Sequence, residues 1–242
     1  MKTNKEQRAV KIISEIAPQH MGSMNEIQRM IIQSKINGAD IVKLQLYSSD
    51  KLWGNKDRLY LDTTKDELKT IKDYCENINI ELSASIFDEE KLEWCEELNF
   101  KTYKIASRTV KDDINLCEKI INTNKKTIIS LGMYDYEKNG KPFERKNIEY
   151  LYCVAEYPTM LYQIKMPDFE KSFFSGFSDH TVGIEACIFA VSRGAKIIEK
   201  HFSNNKSLNV KTQAAHIGAM DMHDLEKLRK FSDSINLLRN NL

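Results

Sequence analysis

Arg193-Gly194-Ala195-Lys196-Ile197-Ile198-Glu199-Lys200-His201 reads as a helix end, a glycine and a strand whose last alternating positions turn polar. The same plan occurs far upstream, in Asn37-Gly38-Ala39-Asp40-Ile41-Val42-Lys43-Leu44-Gln45. Residues two apart on a strand share a face, so Lys43 points with Gln45, and Glu199 with His201. A helix, a glycine and a polar-tipped strand, twice over, are the mark of a parallel α/β unit. In a barrel of such units, the C-terminal strand ends face the active-site mouth.

Outward from these two copies, short β-branched runs alternate with helical patterns along the whole chain. Eight strands are expected: Val10–Ala17, Ile41–Leu46, Ile80–Ile86, Thr102–Ser107, Thr127–Leu131, Tyr150–Ala155, Ser175–Ser178 and Lys196–His201. Helical patterns fall near 24–36, 65–77, 88–98, 111–122 and 181–193. Met222, Leu225, Leu228, Phe231, Ile235 and Leu238 recur at helical spacing and predict a final amphipathic helix. The expected fold is α/β: a single-domain (β/α)8 TIM barrel over residues 1–242 with that C-terminal helix packed on its body. The charged loop Tyr134–Asn147, with Gly140 and Pro142, is the expected mobile element.

A chain of 242 residues that is 41% apolar can bury one substantial core. Its 36 basic and 35 acidic residues nearly cancel, and no basic stripe with interleaved aromatics is present, which argues against nucleic acid as a partner. No apolar run approaches the roughly 18 residues of a membrane span, and no apolar segment follows the polar start Met1-Lys2-Thr3-Asn4-Lys5. A soluble, cytoplasmic protein without a membrane partner is expected. Cys75, Cys95, Cys117, Cys153 and Cys187 form no CxxC pair and are odd in number, so they read as reduced, mostly buried side chains.

Phe177-Ser178-Asp179-His180-Thr181 and Ile198-Glu199-Lys200-His201-Phe202 each place a histidine at a strand end, with one helical segment between. One α/β repeat can bring two such imidazoles to a single metal ion. Singly, each would read as a hydrogen-bonded structural residue; adjacent strands make metal ligation the competing interpretation. Polar groups gather at the same end of other strands: Glu15, Ser83, Ser85, Lys104, Ser107, Ser130, Glu156, Tyr157 and Ser178. Strand serines are commonly just tolerated small residues. Lysines in buried strands are different, because an unpaired buried ammonium needs an anion, so Lys43 and Lys104 point to a phosphate or carboxylate. A helix start after His180 would add amide donors to that pocket. His223 belongs to the final helix and reads as solvated; His20 and His216 fall in loops.

Seven ordered blocks make the chain resemble the sialic acid synthase (N-acetylneuraminate synthase) family. They are Ser14-Glu15-Ile16-Ala17-Pro18-Gln19-His20-Met21-Gly22-Ser23, Gly38 to Gln45, Tyr103-Lys104-Ile105-Ala106-Ser107, Ser130-Leu131-Gly132-Met133, Cys153-Val154-Ala155-Glu156-Tyr157-Pro158-Thr159, Phe177 to Glu185, and Ile198 to Phe202. The resemblance implies a synthase that condenses phosphoenolpyruvate with an open-chain N-acyl amino aldose to give a nonulosonic acid and phosphate. It implies that His180 and His201 hold a divalent metal, Mn2+ or Mg2+. It further implies that Lys43, Lys104, Ser107, Ser130 and Ser178 bind phosphoenolpyruvate. Glu15 is then a catalytic-site carboxylate, with Gln45, Tyr157 and Glu199 lining the sugar side.

The departures cluster on that sugar side. Arg108-Thr109 replaces the family's usual Gly-Glu, Ala155 a common asparagine or serine, and Gln19-His20-Met21-Gly22 the Asn-His-Asn-Gly turn; the family's Gly-Pro-Asp loop after strand eight is replaced around Asn209-Val210-Lys211-Thr212. Family members carry an antifreeze-like domain after the barrel and form homodimers, in which that domain gives an arginine to the neighbour's site. This sequence shows none, so the resemblance leaves a homodimer, or a partner polypeptide that supplies the missing domain. Two other readings stay open: a pseudoenzyme or partner-dependent subunit that lost its acceptor site, and a different metal-using barrel lyase or aldolase.

Overall fold

The computed structural model describes residues 9–206 and 217–241. Eight parallel strands close into a barrel in sequence order. They are β1 (Lys11–Glu15), β2 (Ile41–Leu46), β3 (Glu81–Ile86), β4 (Thr102–Ile105), β5 (Lys126–Ser130), β6 (Ile148–Cys153), β7 (Phe174–Asp179) and β8 (Ile197–His201). The ring shuts where β1 pairs with β8, with Glu15 opposite His201. The expected (β/α)8 barrel is therefore the fold, and every expected strand lies within a few residues of an observed one.

The helices between the strands are α1 (Met24–Ile36), α2 (Ser49–Trp53), α3 (Lys65–Asn77), α4 (Glu89–Glu97), α5 (Ser107–Asp112), α6 (Ile114–Asn122), α7 (Tyr136–Asn139) and α8 (Glu185–Ser192). The final helix, α9 (Met222–Arg239), buries Leu225 and Leu228 and ties itself to the barrel through Arg229, which donates to the carbonyls of Gly38 and Val10 and pairs with Asp40. Among the described residues no helix is long and apolar enough to cross a membrane.

Four helix-to-strand turns share one device. After α1, Gly38 takes a left-handed φ of +103°, and the Ala39 amide reaches back to the Ser34 carbonyl; Gly194 (+95°) and Ala195 repeat this after α8. This is the Schellman stop, in which a left-handed residue lets two amides cap the last free carbonyls. After α3 and α4 the same role falls to Asn79 and Asn99, asparagine being the other residue that tolerates this conformation.

Alternation along the strands separates two cores. Outward residues such as Ile12, Val42, Leu82, Tyr103, Ile129 and Ile198 pack under the helices. Inward, Ile13, Ile41, Ile128, Leu151 and Ile197 form a separate apolar plug low in the lumen. Two residues further along the same strands, the inward positions become Glu15, Lys43, Ser130, Cys153 and Glu199. A polar layer thus rests on an apolar floor, on the side of the strand C-termini.

Three expectations need correction. The helix expected over 111–122 is two helices, α5 and α6, because Asp113 ends one and its side chain caps the other through the Leu116 amide. The helix expected from residue 181 starts only at Glu185, so no helix N-terminus follows His180 directly; Thr181 is instead tied back to Asp179. The segment expected as a loop over 134–147 carries α7; Tyr136 packs edge-on against Phe173 and Phe174, and the Tyr150 hydroxyl bonds the Phe143 amide and carbonyl.

Candidate active site

The barrel mouth opens into one cavity of about 310 Å³, the scale of a small-ligand site. Glu15, Lys43, Gln45, Lys104, Ser107, Ser130, Tyr157, Ser178, His180, Glu199 and His201 all line it. The strand ends thus gather the whole expected site set in one place.

At its floor, two ion pairs stand side by side and are almost wholly buried. Lys43 pairs with Glu15 and donates to Ser85 at 3.0 Å; Lys104 donates to Ser130 at 2.8 Å and lies 3.5 Å from Glu199. Glu199 also lies 3.9 Å from Lys43 and accepts from the Ser178 hydroxyl at 3.0 Å. Glu199 Oε2 is buried without a hydrogen bond of its own.

The charges are unequally satisfied. Burial pushes the Glu15 carboxyl above its ordinary pKa; the Lys43 ammonium opposes this, and the Glu199 charge adds to it. Burial also acts against charge on Lys43, but Glu15 and Glu199 outweigh it and hold the lysine above its usual value. For Glu199, burial is overcome by Lys104 and Lys43, and its pKa falls. Lys104 is the poorly served member: burial lowers its pKa, Glu199 only partly compensates, and Lys43 repels it. An anionic ligand would supply what Lys104 lacks.

The two imidazoles stand together on the next wall, ring centroids 5.9 Å apart. His180 Nδ1 lies 2.9 Å from the Val154 carbonyl and His201 Nδ1 lies 3.0 Å from the Ala17 carbonyl. A carbonyl accepts only from a protonated nitrogen, so each ring carries a proton on Nδ1, which leaves Nε2 as the nitrogen a metal would take. That is how metal-binding histidines are usually oriented. Burial lowers the His180 pKa to about 4, which keeps the ring neutral. The pair fits a divalent ion held by two imidazoles. Among the described residues no group of three or more His, Cys, Asp or Glu side chains is placed to hold a metal, so water and substrate oxygens would fill the other positions.

Tyr157 covers His180, with ring centroids 4.1 Å apart, while staying 41% exposed. The Ser107 hydroxyl accepts from the Gly132 amide at 3.0 Å. Glu156, counted among the polar strand-end groups, lies outside the cavity and bonds Gln163. His20 is buried beside a separate turn, with Nδ1 accepting from the Gly22 amide at 3.0 Å; His223 is exposed on α9. His216 and Asn209 to Thr212 lie outside the described residues.

A family model described as the NeuB family matches residues 30–240. The chain belongs to the NeuB family. It is similar to the pseudaminic acid synthase of Campylobacter jejuni, 31% identical over 83% of this chain and 67% of that one. It is also similar to the N-acetylneuraminate-9-phosphate synthase of Drosophila melanogaster, 28% identical over 82% of this chain and 61% of that one. The chain thus spans under two thirds of the length of some curated NeuB relatives. A solved relative, the N-acetylneuraminic acid (sialic acid) synthetase of Leptospira borgpetersenii serovar Hardjo-bovis in complex with citrate, superposes with a TM-score of 0.83. Identity is 27%, with 95% of this chain and 85% of that one covered. A truncated 3-deoxy-D-arabino-heptulosonate 7-phosphate synthase from Thermotoga maritima, 14% identical with a TM-score of 0.65, shares the fold across 97% of this NeuB chain and 88% of its own.

Sequence reasoning missed three features of this NeuB site. Ser85 was noted as polar but not assigned to the Lys43 head it bonds. Asp179 and Lys200 form a wholly buried pair behind the histidines; a charged residue on the outward face of a buried strand was the available signal. Trp53 and Arg58 line the mouth from the segment after β2, where no periodicity marked a helix.

Proposed function

We propose that this chain is a metal-dependent condensing synthase that joins phosphoenolpyruvate to the aldehyde of an open-chain N-acyl amino aldose. The products are a 2-keto-3-deoxy nonulosonic acid and phosphate. The observation that carries this reading is the juxtaposition in one cavity of a buried lysine–serine floor and two imidazoles oriented by backbone carbonyls.

The overall reaction balances as phosphoenolpyruvate plus aldose plus water giving the keto acid plus phosphate. C3 of the enol forms a bond to the aldehyde carbon, water adds at C2, and phosphate departs with cleavage of the C2–O bond. A divalent cation held by His180 and His201 supplies Lewis-acid polarisation when bound. Lys104, with Ser130, is placed to bind the phosphate, and binding there relieves its unmet need for an anion. Lys43 neutralises the second acidic end of the substrate, with Ser85 fixing its head. Glu15, held above its ordinary pKa, is the group suited to exchange a proton with the aldehyde-derived oxygen or the attacking water. Glu199 remains a carboxylate and holds both ammonium heads in place. Tyr157 shields the His180 ring and, with Gln45, borders the acceptor.

Burying four charged side chains in one layer is costly unless they perform work, which weighs against a barrel that has lost its chemistry. The test is phosphate release from phosphoenolpyruvate with Mn2+ and a panel of N-acyl hexosamines, their diacetamido derivatives and their phosphates. Release with one acceptor class supports the reading. No release across the panel, with no rise in melting temperature on adding Mn2+ and phosphoenolpyruvate, overturns it.

A further inference from the structure

The cavity mouth holds two cations that the chemistry above does not use. The guanidinium carbon of Arg58 lies 4.3 Å from the Trp53 ring centroid, and that of Arg108 lies 4.4 Å from the same centroid. Arg58 comes from the segment between α2 and Leu59, Arg108 from the first turn of α5, and all three side chains line the cavity. Stacking on an indole orients a guanidinium and leaves its N–H edge free to bind. Among the described residues neither arginine has an ion pair, and every cavity carboxylate is committed elsewhere: Glu15 to Lys43, Glu199 to Lys104 and Lys43, Asp179 to Lys200. The Trp53 Nε1 donor is buried and has no hydrogen-bond partner.

Depth separates this cluster from the floor. Lys43 and Lys104 are each 3% exposed, whereas Arg58 and Arg108 are half-buried at the rim. Two cation groups at opposite ends of one cavity call for anionic groups on both partners of the condensation.

We propose that Arg58, Arg108 and Trp53 form an anion subsite selecting an acceptor aldose that bears a phosphate ester or carboxylate at the end remote from its aldehyde. The proposal rests on the synthase reading for the meaning of "acceptor", but the subsite can be tested without turnover. Trp53 and Trp94 are the two tryptophans. In a Trp94→Phe background, with phosphoenolpyruvate and Mn2+ saturating, the emission of Trp53 is titrated with an N-acyl hexosamine, its 6-phosphate and the matching uronic acid. Turnover of each is measured in parallel. The expected result is a saturable change with an anionic sugar at concentrations at least tenfold below those needed for the neutral one. Comparison of the phosphate with the uronic acid identifies which anion is preferred.

Arg108→Gln should lower kcat/KM for the anionic acceptor at least tenfold more than for the neutral one, with a smaller change in KM for phosphoenolpyruvate. Equal Trp53 responses to neutral and anionic sugars, or an Arg108→Gln effect falling mainly on phosphoenolpyruvate, overturns the subsite. A selective Trp53 response without phosphate release from any acceptor overturns the synthase reading and leaves the subsite standing. Turnover of the neutral sugar alone, without a selective Trp53 response, does the reverse.

Discussion

Asp179 and Lys200 meet at 2.6 Å across the seam between β7 and β8, with neither side chain exposed. Each immediately precedes one of the paired histidines. Lys200 also donates to the Thr181 carbonyl, and Asp179 accepts from the Thr181 amide, the Thr181 hydroxyl and the Cys187 thiol. The chain on both sides of His180 is therefore fixed, and His201 is fixed by the preceding residue in its own strand.

Removing one partner leaves the other charge buried alone, which is costly by about 3–5 kcal/mol. Lys200→Met should destabilise the fold by that amount in urea unfolding, and pairing it with Asp179→Leu should restore much of the loss. A Lys200→Met penalty below about 1 kcal/mol would show that the pair does not hold the seam.

His180→Ala and His201→Ala should each abolish Mn2+ binding by calorimetry and stop phosphate release, while far-ultraviolet circular dichroism stays that of the folded barrel. His223→Ala, on an exposed face of α9, should leave both unchanged. Equal damage from all three would remove the case for an ion between the paired rings.

The two floor lysines should fail differently. Lys104→Ala loses a charge-assisted contact worth about 1.5–3 kcal/mol, so KM for phosphoenolpyruvate should rise roughly ten- to a hundredfold, while Glu199 keeps Lys43 as its remaining partner. Lys43→Ala should weaken binding as well, but it also strands the Glu15 carboxylate and should lower the urea midpoint clearly further. Matching stability losses in the two variants would contradict the unequal pairing described above.

His20 supplies a pH test outside the reaction site. Burial depresses its pKa from 6.5 to about 4, and its Nδ1 accepts a backbone amide, which a proton there would prevent. The unfolded chain then binds more protons than the folded one between pH 6.5 and 4, so stability falls as pH drops through that window. From pH 7 to pH 5 this one group accounts for about 2 kcal/mol. His20→Gln should lose about that much less than the unsubstituted protein over the same interval in urea titrations. Parallel losses would place the titrating group elsewhere.

The barrel was legible because its period is local: a glycine-stopped helix followed by a strand with polar tips, seen at 37–45 and 193–201, fixes both direction and inward face. The Lys43–Gln45 and Glu199–His201 pairs followed from alternation alone, and the cavity contains all four. What escaped the sequence depended on non-local partners. Nothing in Trp53 or its neighbours signals that Arg58 and Arg108, far apart in sequence, share its ring. Asp113, capping one helix while ending another, looks in sequence like any polar residue inside a continuous helix.

Glu15 stands opposite His201 at the β1–β8 junction, and the His201 ring is oriented by the carbonyl of Ala17. Because synthesis runs from the N-terminus, a chain still emerging from the ribosome holds Lys43 and Glu15 long before it holds His201. The junction is the most sequence-distant strand pairing in the ring, the kind of contact whose loop-closure entropy delays it in folding. A half-made chain therefore holds the lysine at the floor without the paired imidazoles, and the two walls come together only when the last staves meet the first.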